Sequence, residues 1–483
     1  MDIHTHFTLK RAVLLALFLA AVIFTRFYNL GHTARFTQDE SSDLVRMRQY
    51  YTERKLSLVG PISSDNSKVF SSLTYYMVMP FAAATGFEPI GPVYGTAFWG
   101  VLTAVVLLVV TAQVNRRFLV PGALLLIVWL PLVEMSRWAW NPHFVAFWAG
   151  LGLLVYFARK KLGSLSFALV GFFFGMMFHH HYLSLIAVAP LMLYFTMQLW
   201  QQKQYRDIAL MAGGYFFSIV PFLLFDLRHP PGLFFTQYLL GGSTPHVETT
   251  LTLELLWEHA ARNLRIVFES SLAQEIWYLP LGLGVAATLW ADVKAKQYNT
   301  IVWLTPLLTL FITGLFLNDF QARYVYPAIA FLYVWMLLPR KKFAAAARNV
   351  VFGVLLISAL SSIHKELTVT KVPPDIYSFT KASHFIADTI TEHQLVNPNI
   401  AVLASKDSAP LAEKYRDVVR MYQAGVRELN EYDATENLFV VSTSDEARVR
   451  SDESNAMVYF SKSELRDVYE VENSNWKVYW FSF

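Results

Sequence analysis

Apolar residues along this chain run in blocks of 15 to 23, separated by polar stretches that are short except at 29–68 and 226–275, and near residue 365 the pattern breaks into shorter segments. Crossing the hydrocarbon core of a bilayer takes about 20 predominantly apolar residues. Twelve blocks qualify as candidates: 11–28, 69–87, 92–114, 118–135, 143–158, 164–179, 182–200, 207–225, 276–291, 300–317, 324–338 and 348–363. The first has no small-residue cleavage site and runs on into Arg26-Phe27-Tyr28, so it reads as a retained helix.

Basic clusters set the expected topology, because loops rich in Lys and Arg stay on the cytoplasmic side. They are Lys10-Arg11, Arg116-Arg117, Arg159-Lys160-Lys161, Lys203 with Arg206, Lys294 with Lys296, and Arg340-Lys341-Lys342 with Arg348. All six fall on one face only if one block between residues 28 and 115 does not cross. The weakest is 69–87, which opens on Ser71-Ser72, contains Pro80 and meets the turn Glu88-Pro89-Ile90-Gly91-Pro92. It is expected in the outer interface. The expected architecture is an α-helical polytopic membrane protein of about eleven transmembrane helices, multi-pass in the cell membrane, with a cytoplasmic amino terminus and an exterior carboxy-terminal domain.

Charge changes the picture in one respect: it is split. Residues 1–364 hold 27 Lys and Arg against 17 Asp and Glu, whereas 365–483 hold 13 against 19. Only 16% of the whole chain is charged, against about 25% in soluble domains. The expected division is therefore a membrane domain, 1–364, and an exterior soluble domain, 365–483. There is no cysteine, which excludes disulfides, thiolate metal sites and a thiol nucleophile. The cations sit between apolar blocks, so nucleic-acid binding is not expected.

With this topology the remaining polar residues gather on the exterior side. Asp39-Glu40 follows the first helix and opens a segment, 41–55, that reads as an amphipathic helix with Leu44, Met47, Tyr50, Tyr51 and Leu58 on its apolar side. A carboxylate at a helix N-terminus is held ionised and oriented, as a general base requires. Arg137 stands beside Trp138 and Trp140; a guanidinium there can hold phosphate and an indole can face a sugar. His179, His180 and His181 close an apolar helix, but neighbours on a helix lie about 100° apart, so one or two at most can reach a common site. Arg228 and Arg323 each follow an exterior acid, Asp226 and Asp319, and ion pairing competes with phosphate binding for them.

The first helix ending Arg-Phe-x-x-Leu, the exterior Asp39-Glu40, the run Gly60-Pro61-Ile62-Ser63-Ser64 leading to Leu73-Thr74-Tyr75-Tyr76, and the block Ser136-Arg137-Trp138-Ala139-Trp140-Asn141-Pro142 together resemble bacterial glycosyltransferases of the GT-C fold. More narrowly the chain resembles the branch related to protein O-mannosyltransferases and lipid A aminoarabinose transferases. The resemblance implies juxtamembrane helices in the first exterior loop, Asp39 as catalytic base supported by Glu40, and a sugar donor carried on polyprenyl phosphate. Where relatives place an acid after the fourth exterior boundary this chain has Asn141-Pro142-His143, which weakens the case for a metal site built like theirs.

The chemistry expected is transfer of a sugar to an acceptor hydroxyl of a lipid, glycan or protein at the exterior face. Asp39 takes the proton and the anomeric configuration inverts. Departure of the polyprenyl phosphate calls for preorganised cations, nominated in the order Arg137, a member of His179–His181, Arg228 and Arg323; Trp140, Asn141 and His143 complete the substrate-binding set. No cofactor is required; the scheme leaves room for a divalent metal, but none is expected. The rival readings are a polytopic transporter or lipid-linked-sugar flippase, and an O-antigen-ligase-like or polymerase-like enzyme. Transporters tend to show inverted repeats and ionisable residues near the membrane centre, whereas here acids and bases sit at block ends.

In the tail, helices are expected over 375–392 and 410–423, and strands over 400–404, 438–442, 458–460 and 477–483, which makes a small α/β domain. Its expected role is to cover the exterior site or engage the acceptor, together with the long loop 229–275.

Overall fold

The computed structural model describes residues 9–62, 69–230, 232, 234, 252–272, 274–403, 408–422, 425–428 and 431–483. Much of the long loop nominated for acceptor contacts, 235–251, lies outside the described residues, as do Ser63 and Ser64. The chain opens with α1 (Leu9–Phe27), α2 (Leu30–Thr33), α3 (Gln38–Thr52), β1 (Val59–Ile62), β2 (Val69–Ser71), α4 (Leu73–Ala84) and α5 (Ile90–Val114). It continues through α6 (Leu119–Val128), α7 (Leu130–Met135), α8 (Val145–Leu162), α9 (Leu165–Phe178), α10 (Leu183–Gln201) and α11 (Tyr205–Arg228). Next come α12 (Leu253–Glu269), α13 (Tyr278–Lys294), α14 (Tyr298–Ile301), α15 (Thr305–Gly314), α16 (Ile329–Leu337) and α17 (Lys342–Thr368). The last stretch holds α18 (Ile376–Glu392), β3 (Asn399–Leu403), α19 (Ser408–Tyr422), β4 (Asn437–Ser442), α20 (Glu446–Arg450), α21 (Asn455–Tyr459), β5 (Glu464–Glu470) and β6 (Lys477–Ser482).

Among the described residues six helical stretches are long and apolar enough to cross a membrane: Ile90–Val114, Asn141–Leu162, Leu183–Gln201, Tyr205–Arg228, Glu275–Lys294 and Lys342–Thr368. Shorter apolar helices are Leu73–Ala84, Leu165–Phe178, Tyr298–Gly314 and Ala322–Leu337. At 12 residues, α4 is about 18 Å long against a hydrocarbon core of about 30 Å. Pro80 sits inside it.

Some expected blocks are not single α-helices; 300–317, for one, divides into α14, a 3-10 turn over Val302–Leu304 and α15. The 118–135 stretch breaks at Trp129, whose extended backbone (φ −60°, ψ 114°) separates α6 from α7. The cause is Pro131, which has no N–H to offer the Ile127 carbonyl four residues back. Arg26, fully buried, supplies the missing donors: its guanidinium reaches the carbonyls of Ile127 (2.5 Å) and Leu126 (2.7 Å), and the Thr25 hydroxyl also donates to Ile127 (3.0 Å).

Backbone contacts divide the described residues into two compact units, one drawn from Met1–Tyr28, Ser57–Met77 and Thr96–Leu367, the other from Asn29–Leu56, Val78–Gly95 and Thr368–Phe483. In the first, α9 and α11 approach through glycine. A Cβ on Gly171 would lie 1.9 Å from the Met211 carbonyl oxygen, and one on Gly214 would lie 1.9 Å from that of Ala168. Small residues at such contacts let helix backbones close up where lipid gives no hydrophobic drive. A core made largely of Leu, Val, Phe and Trp, drawn from α1, α5–α11, α13 and α15–α17, fills the rest of this unit.

The second unit holds a four-stranded sheet in the order β3-β4-β6-β5, with β3 and β4 parallel and the other neighbours antiparallel. Central β4 carries Leu438, Phe439, Val440 and Val441, all fully buried, as a strand covered on both faces must. Residues 458–460, expected as a strand, belong instead to the end of α21 and a 3-10 turn. The edge strand β5 was not anticipated, because its mostly exposed sequence Glu-Leu-Arg-Asp-Val-Tyr-Glu carries little apolar signal. The expected tail helix 375–392 is α18, with Asp375 as its N-cap.

Candidate functional site

Asp39 and Glu40 lie in the first turn of α3, which belongs to the second unit. The N-cap is Thr37. Glu40, three residues on, accepts from the Thr37 amide (2.7 Å) and hydroxyl (2.6 Å) through Oε2, completing a capping box that was readable as Thr37-Gln38-Asp39-Glu40. The two side chains thereby differ: Glu40 is buried and locks the start of the helix, while Asp39 is exposed at its second position, at the positive end of the helix dipole. The buried stripe of α3 is Glu40, Ser41, Leu44, Met47 and Tyr50. Tyr51 and Leu58, expected on that side, are exposed, and Leu58 lies beyond the helix end.

The stripe meets α19. Ser41 and Ser42 both donate to Asp417 Oδ2, at 2.6 and 3.1 Å. Lys414 Nζ donates to the Phe36 carbonyl (3.3 Å) and lies over the Phe379 ring at 4.8 Å, and Arg48 donates to the Met421 carbonyl. Burial lowers the Lys414 ammonium to about 7, with the Glu40 carboxylate opposing the fall. Burial raises the Asp417 carboxyl, with the two serine hydroxyls opposing the rise. Nothing in the spacing of the tail announced Lys414 or Asp417, since neither sits in a motif.

The basic and aromatic candidates lie in the first unit. Trp138 and Trp140 stack with ring centroids 4.3 Å apart and planes at 14°. The Arg323 guanidinium lies over Trp140 at 5.1 Å and over Tyr324 at 5.3 Å, within cation–π range. His143 meets the edges of both indoles and of Tyr326, and its Nδ1–H donates to the Trp138 carbonyl (2.7 Å). Trp138, Trp140, His143 and Arg323 are thus one cluster.

Other nominated residues have structural work. Arg137 is buried; its Nη1 donates to the carbonyls of Thr25 and Arg26 at 3.2 Å and its Nη2 to that of Tyr28 at 2.9 Å, a cation closing the C-terminal end of α1. His179 donates from Nε2 to the Ser218 carbonyl (2.7 Å) and bonds the Ser71 hydroxyl through Nδ1 (2.9 Å). His180 accepts from the Trp148 indole at Nε2 (2.9 Å), which places its proton on Nδ1, against the Thr74 hydroxyl (2.9 Å). Asn141 donates to the His180 carbonyl (2.7 Å). His181 Nδ1 accepts from the Leu183 amide at 3.3 Å. Arg228 ends α11 and is exposed. Among the described residues no group of three or more His, Asp or Glu is arranged to hold a metal ion.

No protein-family model matches the sequence, and no curated protein sequence matches it. Solved structures do. ArnT from Cupriavidus metallidurans in the apo state aligns over 98% of both chains with a TM-score of 0.56 at 10% identity. The same protein bound to undecaprenyl phosphate aligns over 98% of both chains with a TM-score of 0.54 at 10% identity. The Archaeoglobus fulgidus oligosaccharyltransferase, in complex with zinc and sulfate, aligns over 97% of this chain and 72% of its own with a TM-score of 0.53 at 13% identity. The fold is therefore GT-C, the class of the lipid A aminoarabinose transferase ArnT and of the archaeal oligosaccharyltransferase.

Proposed function

We propose that this chain is a multi-pass membrane glycosyltransferase that transfers a sugar from a polyprenyl-phosphate donor to an acceptor hydroxyl at the exterior face, with inversion and with Asp39 as general base. The observation that carries the reading is the full-length GT-C likeness combined with an exposed carboxylate on a helix turn locked by Glu40. The undecaprenyl phosphate bound by the ArnT neighbour supports the donor class. An ionised carboxylate at a helix N-terminus accepts the hydroxyl proton as the oxygen attacks the anomeric carbon, and the polyprenyl phosphate leaves from the opposite face.

This reading ranks the cations by the partners they already hold. Arg137, His179 and His180 spend their donors on carbonyls and hydroxyls of the protein, so the phosphate falls to Arg323, with Trp140 and Trp138 as an apolar shelf for a sugar or isoprenoid face. Arg228 is the second cation. His143 belongs to this cluster, and Asn141 acts from beside it by holding the His180 carbonyl.

The test is mass spectrometry of envelope glycolipids and glycoproteins in cells lacking the protein and complemented with wild type or Asp39→Asn. Loss of a general base costs about 10² to 10⁴ in rate, so one glycan vanishes without the protein and returns with wild type alone. Normal glycan from Asp39→Asn removes the base assignment, and an unchanged glycan profile without the protein removes glycosyl transfer.

A further inference from the structure

The helix that carries Asp39 is held along its length by one face of α19. Lys414, Asp417 and Met421 stand at i, i+3 and i+7, and their partners advance along the chain in the same sense: the Phe36 carbonyl, then the hydroxyls of Ser41 and Ser42, then Arg48. The two helices therefore run side by side in the same direction. Apolar packing of Leu44 and Met47 would hold them together but would permit rotation and sliding. Two consecutive serines on one carboxylate oxygen do not, because their side chains leave the helix about 100° apart and only a narrow range of rotation lets both reach Asp417.

Resting on the assignment of Asp39 as base, we propose that Asp417, with Lys414 behind it, is a positioning residue that fixes the rotation of α3 and so aims the Asp39 carboxylate. Asp39 lies two residues before Ser41 and turns with it. A rotation of about 20° sweeps a side chain on a helix surface, about 5–6 Å from the axis, through about 2 Å. Misplacement by about 1 Å can cost about 10²-fold in rate. Part-buried polar contacts of this kind can fix register, as polar groups at helix interfaces do in coiled coils, which distinguishes the role from ordinary packing.

The experiment uses the full chain in isolated membranes that supply their own donor and acceptor, and compares Asp417→Asn with Asp417→Leu. Asn keeps an oxygen that accepts both hydroxyls; Leu has similar volume and no acceptor. Because the chain has no cysteine, Asp43→Cys gives a single attachment point for a nitroxide on α3, read by electron paramagnetic resonance. Expected results are glycan formation within about threefold of wild type for Asp417→Asn, a fall of about 10- to 100-fold for Asp417→Leu, and a more mobile nitroxide only with Asp417→Leu. A Ser41→Ala and Ser42→Ala double variant reproduces the Leu result. Equal activity of the Asn and Leu variants, or an immobile nitroxide in the Leu variant, overturns the proposal. Full activity of Asp39→Asn overturns the base assignment instead, and the nitroxide signal then still reports whether Asp417 orders α3.

Discussion

Gly213 and Gly214 are neighbours on α11 whose surroundings differ completely, so alanine at each makes a matched pair of perturbations. A Cβ on Gly213 meets nothing within 4 Å, whereas one on Gly214 would fall 1.9 Å from the Ala168 carbonyl oxygen and 2.8 Å from its carbonyl carbon. Ordinary van der Waals contact begins near 3.4 Å, so α9 and α11 must part by roughly 1.5 Å at that point. The obstacle is backbone, which no rotamer change can move aside. Both substitutions gain helix propensity, about 1 kcal/mol, and both restrict the unfolded chain equally. These terms cancel in the comparison. What remains is the overpacking cost, about 1–3 kcal/mol or more, together with the dispersion attraction forfeited where the helices separate. Gly213→Ala is expected to be neutral or stabilising by up to about 1 kcal/mol, and Gly214→Ala to be destabilising by about 2 kcal/mol. Thermal unfolding of the detergent-solubilised protein, followed by circular dichroism, reads the difference. Equal midpoints for the two variants would refute the close approach of α9 and α11.

Two further outcomes follow from buried charges. Arg340 and Asp292 pair at 3.0 Å with both side chains fully buried, and Thr300 also donates to Asp292; Asp292→Ala leaves the guanidinium without its carboxylate and is expected to cost about 3–5 kcal/mol, seen as a large fall in thermal midpoint that Asp292→Asn only partly repeats. Lys414 titrates near 7 in the folded protein against 10.5 ordinarily, so between those values the unfolded chain binds a proton the folded chain does not, and stability rises with pH across that window. The ceiling is about 5 kcal/mol at about 1.4 kcal/mol per pH unit. Urea titrations at pH 7 and pH 9 are expected to show the rise in wild type and a smaller one in Lys414→Met; identical slopes would mean that Lys414 keeps its proton in the fold.

Much of the helical layout was legible because it is local. Blocks such as 92–114, 182–200 and 207–225 coincide with α5, α10 and α11 to within a few residues, since apolar run length and helix punctuation need no distant partner. The capping box at Thr37 and Glu40 and the N-cap at Asp375 are local too. The break at Trp129 was also written locally, in Pro131, but its repair was not: the donors come from Arg26, about a hundred residues earlier. Arg340 and Arg348 read as topology-setting cations, yet Arg340 is paired with Asp292 and Arg348 donates to the carbonyls of Met336 and Leu338.

The amino-acid sequence by itself determined that this chain is rich in apolar helices, that its pattern changes period near residue 365, and that Asp39 and Glu40 open a helix. Tertiary structure decided which partners the polar side chains hold. It assigned Arg137 to the end of α1, gave both ring nitrogens of His179 and His180 to the protein, stacked Arg323 on Trp140, and folded the 29–56 segment with the tail. The physical reason is that apolar periodicity is set by the neighbours in the chain, whereas a buried donor or acceptor must be satisfied by whatever the fold brings to it.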